Sequence, residues 1–274
     1  MAAPADGYAM GRSAAESRRL QLQGMIYAEH TELLLRMAGV RPGTHVLDVG
    51  CGAGDVTLQL AELVGPTGSV LGIDSDPGVL AVARRRAEEG GVATVRFEQT
   101  NVLDVQLDQP VDAVVGRLIL IHLDDPVAAV RHLASFVRPG GLVSFQDFNL
   151  SRARAVPPVP VFTRSVEWVI NGLVAAGRPV DPGERMSAIL RDAGLPAPRM
   201  LALGPASADP ESPYYDLVAA TAASLLPLIE TTGVPAAEVG VETLAQRLRA
   251  EAVAAGSTGY LPELVGAWTH RPER

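Results

Sequence analysis

Residues 46–57 read VLDVGCGAGDVT: four mostly apolar residues, then glycines at 50, 52 and 54, with Asp48 ahead of them and Asp55 behind. An apolar run that breaks into alternate glycines predicts a buried strand feeding a tight ligand-holding loop. In the common glycine-rich nucleotide turns, bare backbone N–H groups face phosphate oxygens. Carboxylates beside such a loop would repel a phosphate, so the expected ligand is one that suits an acidic surround.

Working outward, five segments have the near-continuous apolar character of strands covered on both faces: HVLDVG (45–50), SVLGID (69–74), TVRFEQ (94–99), DAVVGRLIL (112–120) and LVSFQDF (142–148). Asp76-Pro77 supplies an N-cap followed by proline at the first helical position, which predicts a helix to Glu89, ended by Gly90-Gly91. Asp125-Pro126 repeats the device, for a helix running to Arg138-Pro139-Gly140-Gly141. Strand and helix alternating in this way predict a doubly wound, Rossmann-like α/β core. MLALG (200–204) and LVGAWTH (264–270) read as sixth and seventh strands.

Helices are expected at both ends of this core. Ser13 and Glu16 form a capping-box pattern ahead of a helical spacing at Leu20, Gly24, Tyr27 and Leu34. After the prolines of SRARAVPPVPV, read as an extended crossing, helices are expected at 162–176 and 183–193. Tyr214, Val218, Ala222, Leu225 and Ile229 share one helical face, as do Val241, Leu244, Leu248 and Ala252. The expected organisation is an N-terminal helical cap (1–39), the ligand-binding core (40–150), the end of the core with its crossing and sixth strand (151–208), a helical insertion (209–257), and the last strand (258–274). Helices inserted at the carboxyl ends of a parallel sheet can cover its crevice. Residues 8–34 and 209–256 are therefore expected to act as a lid.

Composition narrows the function. The chain has 274 residues, net charge −8 and mean hydropathy +0.18, which disfavours a nucleic-acid partner and favours a small molecule. All 23 basic residues are Arg, so Schiff-base, Walker-type and catalytic lysines are excluded. The single cysteine, Cys51, cannot close an internal disulfide, the first residues lack the apolar centre of a signal peptide, and no apolar run is long enough for a bilayer. A cytoplasmic protein without membrane contact is expected. His30, His45, His132 and His270 lack metal-ligand spacing, so no metal is expected.

A dinucleotide fingerprint needs a third glycine where Asp55 stands, which weakens a nicotinamide cofactor. S-adenosylmethionine carries an ammonium and a sulfonium and no phosphate, and it answers the acidic surround. Gly50, Gly52 and Gly54 would let the backbone approach it, and Asp48 would supply a favourable field. Asp74 ends the second strand and can accept both hydroxyls of a ribose.

With these residues in place, the sequence resembles the class I S-adenosylmethionine-dependent methyltransferases. The resemblance spans roughly residues 40–150 and rests on VLDVGCGAG, VLGIDSDP, FEQTNVLDV, DAVVGRLILIHLDDP and RPGGLVSFQDF, in the family's order and spacing. More narrowly, YAMGRSAAESRRL, GRLIL, SLLPLIE and LVGAWTHRP are similar to actinobacterial small-molecule methyltransferases of specialised metabolism. The resemblance implies a seven-stranded sheet with its last strand antiparallel. It further implies ribose contacts from Asp74 and Ser75, adenine contacts from Asn101 and the Val102 N–H, and the methionine end near Arg117. Asn101 departs from the acidic residue the family often has there, but its amide oxygen still accepts.

Candidates for the chemistry follow from position. His122 lies at the ligand edge after the fourth strand and reads either as an acid/base for a substrate hydroxyl or as a histidine that caps the next helix or packs under the lid; the family resemblance favours the former. Asp147 and Asn149 follow the fifth strand, to orient substrate or to hold a loop. Arg117 in an apolar strand needs a carboxylate, from the protein or from the cofactor. Tyr8, Trp168 and Tyr214 read as pocket walls for an apolar substrate or as core. Cys51 reads as a small residue of the turn. The expected activity is methyl transfer to a small, fairly apolar metabolite, oxygen first, by a monomer or homodimer. The rivals are a cyclase or isomerase on the same fold and a non-catalytic binding protein.

Overall fold

The computed structural model describes residues 14–273. Tyr8 and Ser13 lie outside the described residues. The chain divides into two compact units: a sheet unit of Glu29–Asp147, Gly183–Ala202 and 265–273, and a helical unit of 14–28, Phe148–Pro182 and Leu203–Leu264. The N-terminal segment expected to end at 39 is thus divided at Ala28, and the core expected to run to 150 gives way at Asp147.

The sheet unit begins with α2 (Ala28–Ala38), following α1 (Ala14–Ile26) of the helical unit. Its first five strands are β1 (His45–Val49), β2 (Ser69–Asp74), β3 (Val95–Gln99), β4 (Val111–Arg117) and β5 (Val137–Asn149). They alternate with α3 (Asp55–Val64), α4 (Pro77–Glu89) and α5 (Pro126–Ser135). The helix starts are those the sequence announces: Asp76 accepts from the Gly78 N–H and Asp125 from the Ala128 N–H, each just before a proline. The second helix stops at Ser135, earlier than expected, because β5 already begins at Val137.

After a short strand β6 (Arg154–Val156) and helices α6 (Pro160–Ala175) and α7 (Pro182–Asp192) come β7 (Arg199–Leu203), β8 (Ala206–Ser207), α8 (Tyr214–Ser224), α9 (Leu226–Thr231), α10 (Ala236–Val239), α11 (Val241–Ala255), β9 (Thr258–Tyr260) and β10 (Glu263–His270). The main sheet has seven strands in the order β3-β2-β1-β4-β5-β10-β7, with the last strand, β10, antiparallel. β1 pairs in parallel with β2 on one side and β4 on the other. That is the point where strand order reverses, and a parallel sheet opens a ligand crevice at the carboxyl ends of such a pair. Leu47, Val49, Val114, Val143 and Phe145 are fully buried in the core beneath it.

Three expectations of local structure are corrected. The fourth strand ends at Arg117, not at Leu120, because Leu118 adopts a left-handed φ of 58° and the chain turns into a 3-10 helix, Leu120–His122. The apolar face from Tyr214 to Ile229 belongs to two helices: α8 ends at Ser224, and Pro227 opens the first turn of α9. The crossing at 154–156 is a strand. It joins β9 and β8 in an antiparallel three-stranded sheet of the helical unit, with the Arg154 guanidinium 4.4 Å from the centre of the Tyr260 ring.

Candidate functional site

The glycine loop leaves β1 at Val49 and enters α3 at Asp55. Gly50 has φ 66°, and a Cβ there would meet the Ile119 side chain at 2.7 Å, so side-chain bulk is excluded twice over. Gly52 has φ 55° with open space where a Cβ would stand, which leaves the backbone bare toward the crevice. The loop is braced from behind by Arg86 of α4, which donates to the Ala53 carbonyl at 2.6 Å and pairs with Asp55 at 2.8 Å. The sequence reading missed Arg86, since nothing local links a helical arginine to a loop 31 or more residues away.

Asp74, at the end of β2, holds the front of the same loop. Its Oδ2 accepts the Gly52 N–H at 3.0 Å and its Oδ1 accepts the Asp76 N–H at 2.9 Å. Each carboxylate oxygen retains a lone-pair site, so the group can take ribose hydroxyls while it ties loop to strand. Ser75 beside it is exposed, and its carbonyl accepts from the Gln99 side chain at 3.2 Å.

Asp48 is 1% exposed, and its Oδ2 accepts from the Thr57 hydroxyl at 2.6 Å. Burial pushes its carboxyl up to about 7, against the Thr57 hydrogen bond and the Arg117 charge, with Asp74 and Asp55 adding to the rise. Arg117 donates to the Thr31 hydroxyl of α2 at 3.0 Å. Among the described residues no carboxylate lies within ion-pair distance of it, so the expected protein carboxylate, Asp48 in particular, is not its direct partner. Burial lowers the proton affinity of this guanidinium, and the fields of Asp55 and Asp48 offset the loss in part.

At the other end of the crevice, Asn101 and Val102 follow β3. The Asn101 amide oxygen accepts from the Leu103 N–H at 3.0 Å, so it shapes its own turn and has one further lone pair to offer. Val102 is buried in the core, and its N–H has no partner among the described residues.

His122 closes the 3-10 turn and is half-buried, its N–H bonded to the Ile119 carbonyl at 3.0 Å. Asp147 does not follow β5 as expected; it lies within it, 1% exposed, and its Oδ2 accepts the Ile121 N–H at 3.3 Å. The turn that carries His122 is therefore pinned by Asp147 on one side and by the Leu118 N–H donating to the Gln146 carbonyl at 2.8 Å on the other.

Within the sheet unit the structure thus brings together Asp48, Gly50, Gly52, Gly54, Asp74, Ser75, Asn101, Val102, Arg117, His122 and Asp147 along the carboxyl ends of β1 to β5. Trp168 and Tyr214 belong to the helical unit, where both are core side chains; the Tyr214 ring meets Phe162 edge-on at 6.2 Å and stacks at a tilt on Tyr215 at 4.0 Å. Burial raises the Cys51 thiol far above its ordinary range, which removes it as a nucleophile. Among the described residues no group of three or more His, Cys, Asp or Glu side chains could hold a metal ion, and no helix is long and apolar enough to cross a membrane.

The residues present fit S-adenosylmethionine: a bare glycine backbone at Gly52, the Asp74 carboxylate with lone pairs left to offer, and the Arg117 guanidinium with no carboxylate within ion-pair distance among the described residues. The seven-stranded sheet order, with its last strand antiparallel and helices on both sides, matches the Rossmann-like methyltransferase fold. Residues 41–169 match the family described as Methyltransferase domain. The chain is 32% identical over 130 residues to the ubiquinone/menaquinone biosynthesis C-methyltransferase UbiE of Ectopseudomonas mendocina, a stretch covering 47% of this chain and 51% of that protein. The chain thus spans about half the length of this curated relative. A methyltransferase structure from Aquifex aeolicus superposes with a TM-score of 0.53 at 22% identity, over 69% of this chain and 93% of that one. The [4+2]-cyclase SpnF gives 0.51 at 18% identity, over 89% and 81%. These two likenesses show the fold alone.

Proposed function

We propose that this protein transfers the methyl group of S-adenosylmethionine to a small, fairly apolar metabolite. The observation that supports the reading is the pairing of Asp74, a carboxylate braced on the Gly52 N–H, with Arg117, a guanidinium with no protein carboxylate beside it among the described residues; we assign the first to the ribose and the second to the amino-acid end. When bound, the cofactor supplies an electrophilic methyl on a sulfonium. The chain's own part is positioning: the glycine loop and Asp74 fix the adenosine, Asn101 and Val102 receive the adenine, and Arg117 neutralises the carboxylate. His122, on a turn held by Asp147, takes the proton that the acceptor gives up.

The relative's quinone chemistry makes a ring carbon of a hydroxylated aromatic the first acceptor to test, with oxygen second. With an oxygen acceptor the hydroxyl proton leaves as the O–CH3 bond forms, and with a ring carbon the C–H proton leaves after the C–CH3 bond has formed, as the ring regains aromaticity; in either case His122 is the base that takes it. All the cofactor-reading residues belong to the sheet unit, and we assign acceptor choice to the helical unit. A role in specialised metabolism, a cytoplasmic location and a homodimeric state are part of the same proposal. The test is incubation with methyl-labelled S-adenosylmethionine and a panel of naphthohydroquinones and phenols. Label in a product together with S-adenosylhomocysteine supports the reading, and isomerised acceptor without S-adenosylhomocysteine contradicts it.

A further inference from the structure

Gln146 and Arg117 are Cα partners across the parallel β4–β5 pair. Partners in register project from the same face of a sheet, on strands about 4.8 Å apart. The Gln146 side chain is 1% exposed, and neither its Nε2 nor its Oε1 has a hydrogen-bond partner among the described residues. A buried, unbonded carboxamide is costly, and a methionine of similar length would fill the position without that cost. Its neighbour Arg117 spends one donor on Thr31 and has four more N–H groups to give. Guanidinium and carboxamide together offer a surplus of donors and one open acceptor. The complement of that set is a carboxylate next to an ammonium.

We propose that Gln146 joins Arg117 in binding the α-amino-carboxylate end of S-adenosylmethionine. This rests on the cofactor reading above. Nε2 donates to the carboxylate that Arg117 neutralises, and Oε1 accepts from the ammonium. The side chain is unbranched with three torsions, so a rotamer change carries the carboxamide from its covered position to the ligand. The assignment adds a specificity element on the fifth strand, one strand beyond the residues that the glycine-loop motif announces.

The test compares two ligands by calorimetry: S-adenosylhomocysteine, which has the amino-acid end, and 5′-methylthioadenosine, which lacks it. Gln146→Met should weaken S-adenosylhomocysteine about 10-fold and leave 5′-methylthioadenosine within about 2-fold. The melting temperature of the free variant should stay level or rise, since the unbonded polar atoms are gone. Gln146→Glu, which sets a like charge against the carboxylate, should weaken S-adenosylhomocysteine further and again spare the shorter ligand. Unchanged affinity for S-adenosylhomocysteine, or equal loss for both ligands, overturns the assignment. A lower melting temperature of Gln146→Met with both affinities intact shows a purely structural carboxamide and overturns it as well. A wild-type protein that binds neither ligand fails the cofactor reading itself, and Gln146 falls with it.

Discussion

The Asp74 carboxylate accepts the Gly52 N–H at 3.0 Å, so the residue placed to read a ribose also fixes the loop on which the cofactor lies. Removing it has two consequences. Asp74→Ala should weaken S-adenosylhomocysteine by roughly 2–3 kcal/mol, the scale of hydrogen bonds to a charged group. Asp74→Asn keeps one acceptor and should lose less. Calorimetry on the three proteins checks the order, and equal affinities would sink the ribose assignment.

The Asp48 carboxyl, raised to about 7 chiefly by burial, makes stability depend on pH. The folded state holds this proton more tightly than the unfolded chain, whose value is near 3.8. The stabilisation is therefore complete below 3.8 and is lost as pH rises through about 7. Thermal melts from pH 4 to 8 should show a decline that Asp48→Asn flattens. A cationic ligand favours the carboxylate, so S-adenosylmethionine should bind more tightly as pH rises across the same range. A pH-independent affinity would contradict this.

His122→Asn should lower methyl transfer by about 10²–10⁴-fold while leaving S-adenosylhomocysteine affinity near wild type. If affinity or melting temperature falls in step with rate, His122 is a cap of its turn and not a base. Asp147→Ala should act through the same turn, lowering turnover by releasing the Ile121 N–H, with cofactor affinity again near wild type. The two effects should not add in the double variant, because both residues act through one element.

Gly50→Ala meets the Ile119 side chain and a left-handed backbone at once. Cofactor binding should be abolished or nearly so, with a melting temperature several degrees lower. Gly52→Ala has open space for its Cβ, so its strain is backbone alone and its melting temperature should fall less. Equal losses for the two variants would contradict the close packing of Ile119 on the loop.

Much of the sheet and its helix starts was legible because the signals are local: apolar runs, glycines at alternate positions, and Asp-Pro at the two helix starts. What was not legible depends on contacts between distant segments. The left-handed turn at Leu118 leaves no mark in LILIHL, where a leucine replaces the glycine that would announce it. The small β6-β9-β8 sheet pairs segments about fifty (β8 with β9) and about a hundred (β6 with β9) residues apart, with two and three residues per strand too few to show alternation. At the site, Asp48 and Asp74 declare themselves by charge in apolar strands. Thr31, Arg86 and Gln146 sit in ordinary contexts, and only the register of β4 on β5 and the packing of α2 and α4 give them partners or deny them.

The identity of the ligand on the glycine loop is the most direct point of test. Titration of the wild-type protein with S-adenosylhomocysteine and, separately, with NADH measures this in one calorimeter cell. One site of Kd below about 100 µM for S-adenosylhomocysteine, with no heat from NADH, is the predicted result. Binding of NADH, or no binding of S-adenosylhomocysteine, would contradict it.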